Sequence, residues 1–199
     1  MIAIVAFCVS VLGASVASLQ VPTPIDVPSW ATFPETLGDF KRDPSRDLAQ
    51  YGILARYTRA AARSDVFVYP IPQVDATPLS LAEEAALAQE TLLKLRGQGY
   101  DRVELVDASL PLNETVGEER IEGLMVGAMV MIEGQWARTY TTLLNVRGYR
   151  LKIRTTIRDR KSDVEGTIAF VSALLHAVLK AKQVLHPATG ARSDRVHDH

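Results

Sequence analysis

The chain has 199 residues, 47% of them hydrophobic and 23% charged, with a mean hydropathy of +0.05, which excludes a disordered or collagen-like chain and a polytopic membrane protein. With 22 Lys and Arg against 23 Asp and Glu the formal net charge is −1, so bulk charge gives no nucleic-acid footprint. The lone cysteine, Cys8, excludes an intramolecular disulfide framework and any Cys-based zinc or iron–sulfur site.

From Ile2 to Leu19 there is no charge, and Ile2 to Leu12 is nearly continuous in apolar residues before Gly13 and a run of small ones. That layout reads as a secretory signal peptide over residues 1–17, with Ser15 and Ala17 as the small residues before the cut. Its first residues lack Lys or Arg, and an uncleaved anchor is the alternative, because the uncharged stretch reaches the short edge of a spanning helix. Phe7 is too bulky for a lipidation signal at Cys8. Export to the periplasm or beyond is the expected location, and anchoring in the inner membrane its alternative.

Residues 18–36 carry Pro22, Pro24, Pro28 and Pro34, which prevents regular helix and predicts a linker or a strap laid over the domain. The domain is expected over residues 37–185, and 186–199 as a mobile tail. Tyr51 to Arg59 and Asp65 to Tyr69 read as paired strands around Ala60 to Ser64. At Ser80 the period changes. Ser80 and Glu83 form a capping box, and Leu81, Ala85, Ala88, Leu92 and Leu95 fall on one helical face until Gly97 and Gly99.

Val103 to Asp107 is expected as a strand and Leu110 to Glu119 as a loop, because Pro111, Asn113 and Gly117 interrupt it. Arg120 to Ile132 is apolar at both alternating sets of positions, which predicts a central strand covered on both sides. Glu133–Gly134 turns into Trp136 to Asn145, and Val146 to Gly148 turns into Tyr149 to Arg158. Ser162 and Glu165 repeat the capping box before a helix with Val164, Ile168, Val171, Leu175, Val178 and Leu179 on one side, running to about Leu185. This order predicts an α+β fold: a mainly antiparallel sheet with two main helices.

Two constellations are candidate binding sites. Arg150, Lys152, Arg154 and Arg158 share one face of a strand by its two-residue period, in a stretch, 147–161, of net charge +6, while 101–122 carries −5. They form a basic surface for an anionic partner, or else a solvated or internally neutralised ladder. Gly123, Met125, Gly127 and Met129 fall on one face of their strand and would line an apolar pocket, or else seat a packed helix.

Catalytic and metal signals are weak. Ser172 and His176 are neighbours on the last helix, but no third residue orients them and no G-x-S-x-G elbow is present. Asn113 and Thr115 complete a glycosylation sequon, a short match of little specificity. His197, Asp198 and His199 lie on the tail, and Glu104, Asp107, Glu118, Glu119 and Glu122 lack the spacing of a calcium loop. There is no phosphate-binding glycine loop, no H-E-x-x-H and no RNA-binding aromatic motif, so neither a cofactor nor a metal is expected.

Four segments, FPETLGDFKR (Phe33 to Arg42), YGILARYTR (Tyr51 to Arg59), VFVYPIP (Val66 to Pro72) and GYRLKIRTT (Gly148 to Thr156), with the closing amphipathic helix, resemble bacterial exported proteins. Their order over residues 33 to 182 is similar to the α/β/α sandwich of PsbP, an extrinsic photosystem II subunit, and its bacterial relatives. The resemblance implies an accessory or binding role without a catalytic set, and no functional residue carries over. The sequence is therefore read as an exported, non-catalytic binding or accessory module for a protein, an envelope component or an anionic partner. A small extracytoplasmic hydrolase and a membrane-tethered interaction protein are the alternatives.

Overall fold

The computed structural model describes residues 27–44, 53–94, 96, 99–158 and 164–180. The proposed signal peptide, Cys8, the tail with His197 and His199, the Ser162 cap and the helix end near Leu185 all lie outside these residues.

The short strands β1 (Thr36–Leu37) and β2 (Phe40–Arg42) form a hairpin beside the hairpin of β3 (Ala55–Arg59) and β4 (Ala62–Pro70). A small separate hairpin, β5 (Gln73–Val74) and β6 (Thr77–Pro78), leads into helix α1 (Leu81–Lys94). Next come β7 (Arg102–Val116), β8 (Glu119–Ile132), β9 (Gln135–Val146) and β10 (Tyr149–Ile157), and helix α2 (Val164–Lys180). The eight-stranded sheet has the order β1-β2-β3-β4-β10-β9-β8-β7, with antiparallel pairing throughout. With a helix on each face it is the α+β sandwich expected from the pattern.

The turns follow from backbone chemistry. Glu133–Gly134 and Arg147–Gly148 have positive φ at both central residues, the mirror-image turn whose twist matches paired strands. Ser80 starts α1 as predicted: its hydroxyl accepts from the Glu83 N–H at 3.2 Å, and the Glu83 carboxylate accepts from the Ser80 N–H at 2.8 Å. The Glu83 carboxylate also accepts from the Ser80 hydroxyl at 2.7 Å, and this bond, then the one from the Ser80 N–H, holds the Glu83 carboxyl below its ordinary range.

The structure corrects two expectations. The segment Leu110 to Val116 is strand, not loop, and continues β7 past an irregularity between Val106 and Leu110. Pro111 is tolerated because β7 is the sheet edge, where a missing N–H breaks no ladder on the outer side. Strand β8 is second from that edge rather than central, and β4 and β10 hold the middle. Its two-sided apolar character comes from Ile121 in the core beneath α2 and from Val126, Ala128 and Val130 in the clusters beneath α1.

The two faces are unequal. Beneath α2 lies the main core, where Tyr57, Val66, Val68, Leu144, Leu151 and Ile153 meet Phe170, Leu174 and Leu175. Each such aliphatic residue contributes about 1.5–3 kcal/mol on burial, so this face carries most of the hydrophobic stabilisation. Trp30 and Phe33, from the proline-containing segment, belong to this core. Trp30 meets Tyr149 edge-on at 6.1 Å, and the Tyr57 hydroxyl donates to the Pro34 carbonyl at 2.7 Å. Burial pushes the Tyr57 hydroxyl up to about 12. Beneath α1 the clusters are small, with Leu92 against Val103, Ala128, Val130 and Ala137, and Ala85 against Val126 and Leu143. Polar contacts complete the seating of α1, and they lead to the basic face.

Candidate anion-binding face

The even-numbered residues of β10 point to the α1 side of the sheet, so Arg150, Lys152 and Arg154 do share one face. Helix α1 covers the β8–β9 half of that face and leaves the β3–β4–β10 half beside it. The cations of the ladder have different surroundings there.

Arg150 is 1% exposed. Its Nε donates to Glu84 Oε2 at 2.7 Å, one terminal nitrogen donates to Asn145 Oδ1 and the other to the Leu79 carbonyl at 2.9 Å. Glu84 sits in the first turn of α1, and its second oxygen accepts from the Tyr69 hydroxyl. Burial, then this hydrogen bond and the Glu84 charge, raise the Tyr69 pKa. Every polar end of the cluster is partnered. Arg150 is thus neutralised inside the fold, where it fastens the start of α1 to β10, and does not meet solvent.

Lys152 is half-buried, with Nζ 5.8 Å from the centre of the Phe67 ring and no ion pair among the described residues. Burial, and the nearby Arg154 charge, lower its pKa, while Glu84 partly opposes the shift. Arg154 donates to the Tyr100 hydroxyl, and its Nε is buried without a partner. Across β4, Asp65 accepts from Arg56 Nε at 2.5 Å and lies 3.4 Å from Arg63 Nε, so one buried carboxylate serves two guanidinium groups.

Arg158 follows the end of β10 and is exposed. Its N–H donates to the Ala61 carbonyl at 2.8 Å, tying it to the β3–β4 turn. There an open cleft of about 440 Å³ lies between that turn and Tyr100, with Arg63, Arg158, Thr58 and Thr156 on its walls. Arg59 also lines it and pairs with Asp39 at 3.1 Å.

The second constellation is packed. Gly123, Met125 and Gly127 are buried and Met129 is half-buried. A Cβ at Gly123 would collide with the Leu144 side chain and stand 2.9 Å from the Leu143 carbonyl, and one at Gly127 would lie 3.2 Å from the Tyr140 ring. Leu144 and Tyr140 are the register partners of these glycines, so the space they leave is filled from the neighbouring strand. Ser172 and His176 lie half-buried on α2, and His176 Nδ1 has no hydrogen-bond partner, so nothing described orients the imidazole for acid–base work. Among the described residues no cluster of His, Cys, Asp and Glu could hold a metal ion, and no helix is long and apolar enough to cross a membrane.

Sequence reasoning missed Arg56, Arg63 and Tyr100. Arg56, Arg59 and Arg63 crowd one hairpin, and that density was the available signal. Tyr100 had none, because Arg154 reaches it across 54 residues of chain.

No protein-family model matches the sequence, and no curated protein matches it. Among solved structures, the solution structure of cyanobacterial PsbP (CyanoP) from Synechocystis sp. PCC 6803 is similar, with a TM-score of 0.48 and 12% identity over 68% of this chain and 79% of that chain.

Proposed function

We propose that the protein is a non-catalytic binding or accessory module that engages an anionic partner through the face formed by β3, β4 and β10. One observation carries this reading. Lys152, Arg154 and Arg158 have no ion pair among the described residues, and Arg56 and Arg63 share the single carboxylate of Asp65. A fold that only needed a solvated face would not hold Lys152 half-buried, where burial acts against its ammonium and the favourable Glu84 charge is partly cancelled by Arg154. A bound anion offsets the cost of burial. The apolar segment Ile2 to Leu12, followed by small residues, supports action outside the cytoplasm.

The test uses heparin-agarose as the anionic probe. A protein of net charge −1 is retained near neutral pH only if its cations are concentrated on one face. The expected result is retention at low salt and elution at markedly lower salt for the triple substitution K152Q/R154Q/R158Q. Flow-through of the unsubstituted protein, or unchanged elution of the triple variant, contradicts the reading.

A further inference from the structure

We propose that the cleft between the β3–β4 turn and Tyr100 binds a phosphorylated small molecule, with Arg63 and Arg158 holding the phosphoryl oxygens by charge and Tyr100 and Thr156 by their hydroxyls. This rests on the anion-binding reading of the face and narrows it to one place and one ligand class.

The sheet register builds the site. Arg63 is the direct partner of Thr58 on one side and of Thr156 on the other, so a guanidinium stands between two hydroxyls in one row of the sheet. Arg63 Nε faces Asp65 at 3.4 Å, and its terminal nitrogens have no partner among the described residues. Those two nitrogens form the fork that matches two oxygens of a phosphate. The main-chain hydrogen bond from Arg158 to Ala61 brings a second guanidinium to the same turn, and its side chain is unpaired among the described residues.

Tyr100 closes the other side. Its hydroxyl oxygen accepts from Arg154, so the phenolic proton is not used in that bond and is free to donate to a ligand, polarised by the cation. None of the described lining residues is acidic, so an entering dianion meets no like charge from them.

The volume sets the ligand class. At about 440 Å³ the cleft falls in the range of small-molecule sites, about 300–1,000 Å³, and exceeds what a bare phosphate fills. Ala60, Ala62, Ile132 and the Tyr100 ring offer apolar wall for an organic remainder. A free phosphomonoester and a lipid headgroup present the same phosphoryl chemistry to this open cleft, and soluble phosphates and vesicles separate the two sources in the test.

The full-length protein is titrated with inorganic phosphate and with phenyl phosphate, and binding is read by calorimetry and by amide chemical shifts. Saturable binding at millimolar concentration is expected, tighter for phenyl phosphate because its ring buries apolar surface. R63Q and R158Q should each weaken it about tenfold or more, the effect of removing one charge-assisted contact. R120Q is the matched control, since Arg120 lies about 40 Å from Ile132 along β8 at the rise of an extended strand. Melting temperatures check the fold, and R158Q keeps the test decisive if R63Q is unstable, because Arg158 is exposed and unpaired among the described residues.

Absence of saturable binding, or R63Q and R158Q behaving like R120Q, overturns the proposal. Sedimentation with phosphatidylglycerol vesicles, without binding of either soluble phosphate, also overturns it and assigns the cations to a membrane surface. Heparin retention without phenyl phosphate binding removes the cleft and leaves the anion-binding face. Phenyl phosphate binding without heparin retention keeps the cleft and removes the extended face.

Discussion

Arg150 and Lys152 are two residues apart on the same strand face, yet they have opposite roles because Glu84 is bonded to Arg150 and only acts at a distance on Lys152. Arg150 and Glu84 are both desolvated and fully hydrogen-bonded, so removing either leaves a buried charge without its counterion. Arg150→Ala should destabilise the fold by about 3–5 kcal/mol in a denaturant titration, and more than the double substitution R150M/E84L, which removes both charges. Equal losses in the two variants would contradict the ion-pair account. Lys152 is the reverse case. Its folded-state pKa lies below its unfolded one, so the unfolded chain binds more protons between the two values and stability rises with pH across that window. Below the window the cost is fully present. Lys152→Met should therefore be more stable than the unsubstituted protein at neutral pH, and the gap should close as pH rises through the lowered lysine pKa. A constant gap across that range would show that the gain comes from packing alone.

At the scale of elements, the structure separates what local pattern can specify from what only pairing decides. Helix α1, its capping box and the two-residue turns at Glu133–Gly134 and Arg147–Gly148 were legible, because their signals lie within four residues of one another. The second half of β7 was not. Pro111, Asn113 and Gly117 are loop residues by local preference, and Leu110 to Val116 becomes strand because β8 supplies a partner across a tight turn. Strand β8 was legible as two-sided and misplaced as central, because apolar periodicity reports how many faces are covered and not how many strands lie beyond. The glycines of β8 follow the same logic. At Gly123 a Cβ meets a backbone carbonyl that cannot move without breaking the ladder, so Gly123→Ala should cost about 1–3 kcal/mol. Gly127→Ala is tight only against the Tyr140 ring, with Val106 at ordinary contact distance, and should cost less. The two unfolding midpoints, compared side by side, check whether cross-strand packing sets the need for glycine. Ser80→Ala should cost about 1 kcal/mol through loss of the cap, measured in the same way.

Over the whole molecule, the division of labour follows the two faces of the sheet. The α2 face holds the continuous core and is tied down by Trp30, Phe33 and Tyr57, so it supplies stability. The α1 face has small apolar clusters and a polar half left beside the helix, and on that half the cations of β3, β4 and β10 gather. Sequence period alone placed Arg150, Lys152 and Arg154 together. It could not tell which of them was neutralised, because Glu84 is 66 residues from Arg150, nor that a second strand pair adds Arg56 and Arg63 to the face.

Anion binding is proposed for this half of the α1 face. Backbone amide shifts recorded during titration with a short heparin fragment test it most directly, since they map the contact residue by residue. The account predicts salt-sensitive shifts concentrated at Arg56 to Phe67 and Lys152 to Arg158, with the α2 face unchanged. Shifts centred on Met129, Trp136 and Tyr140, or spread evenly over the surface, would contradict it.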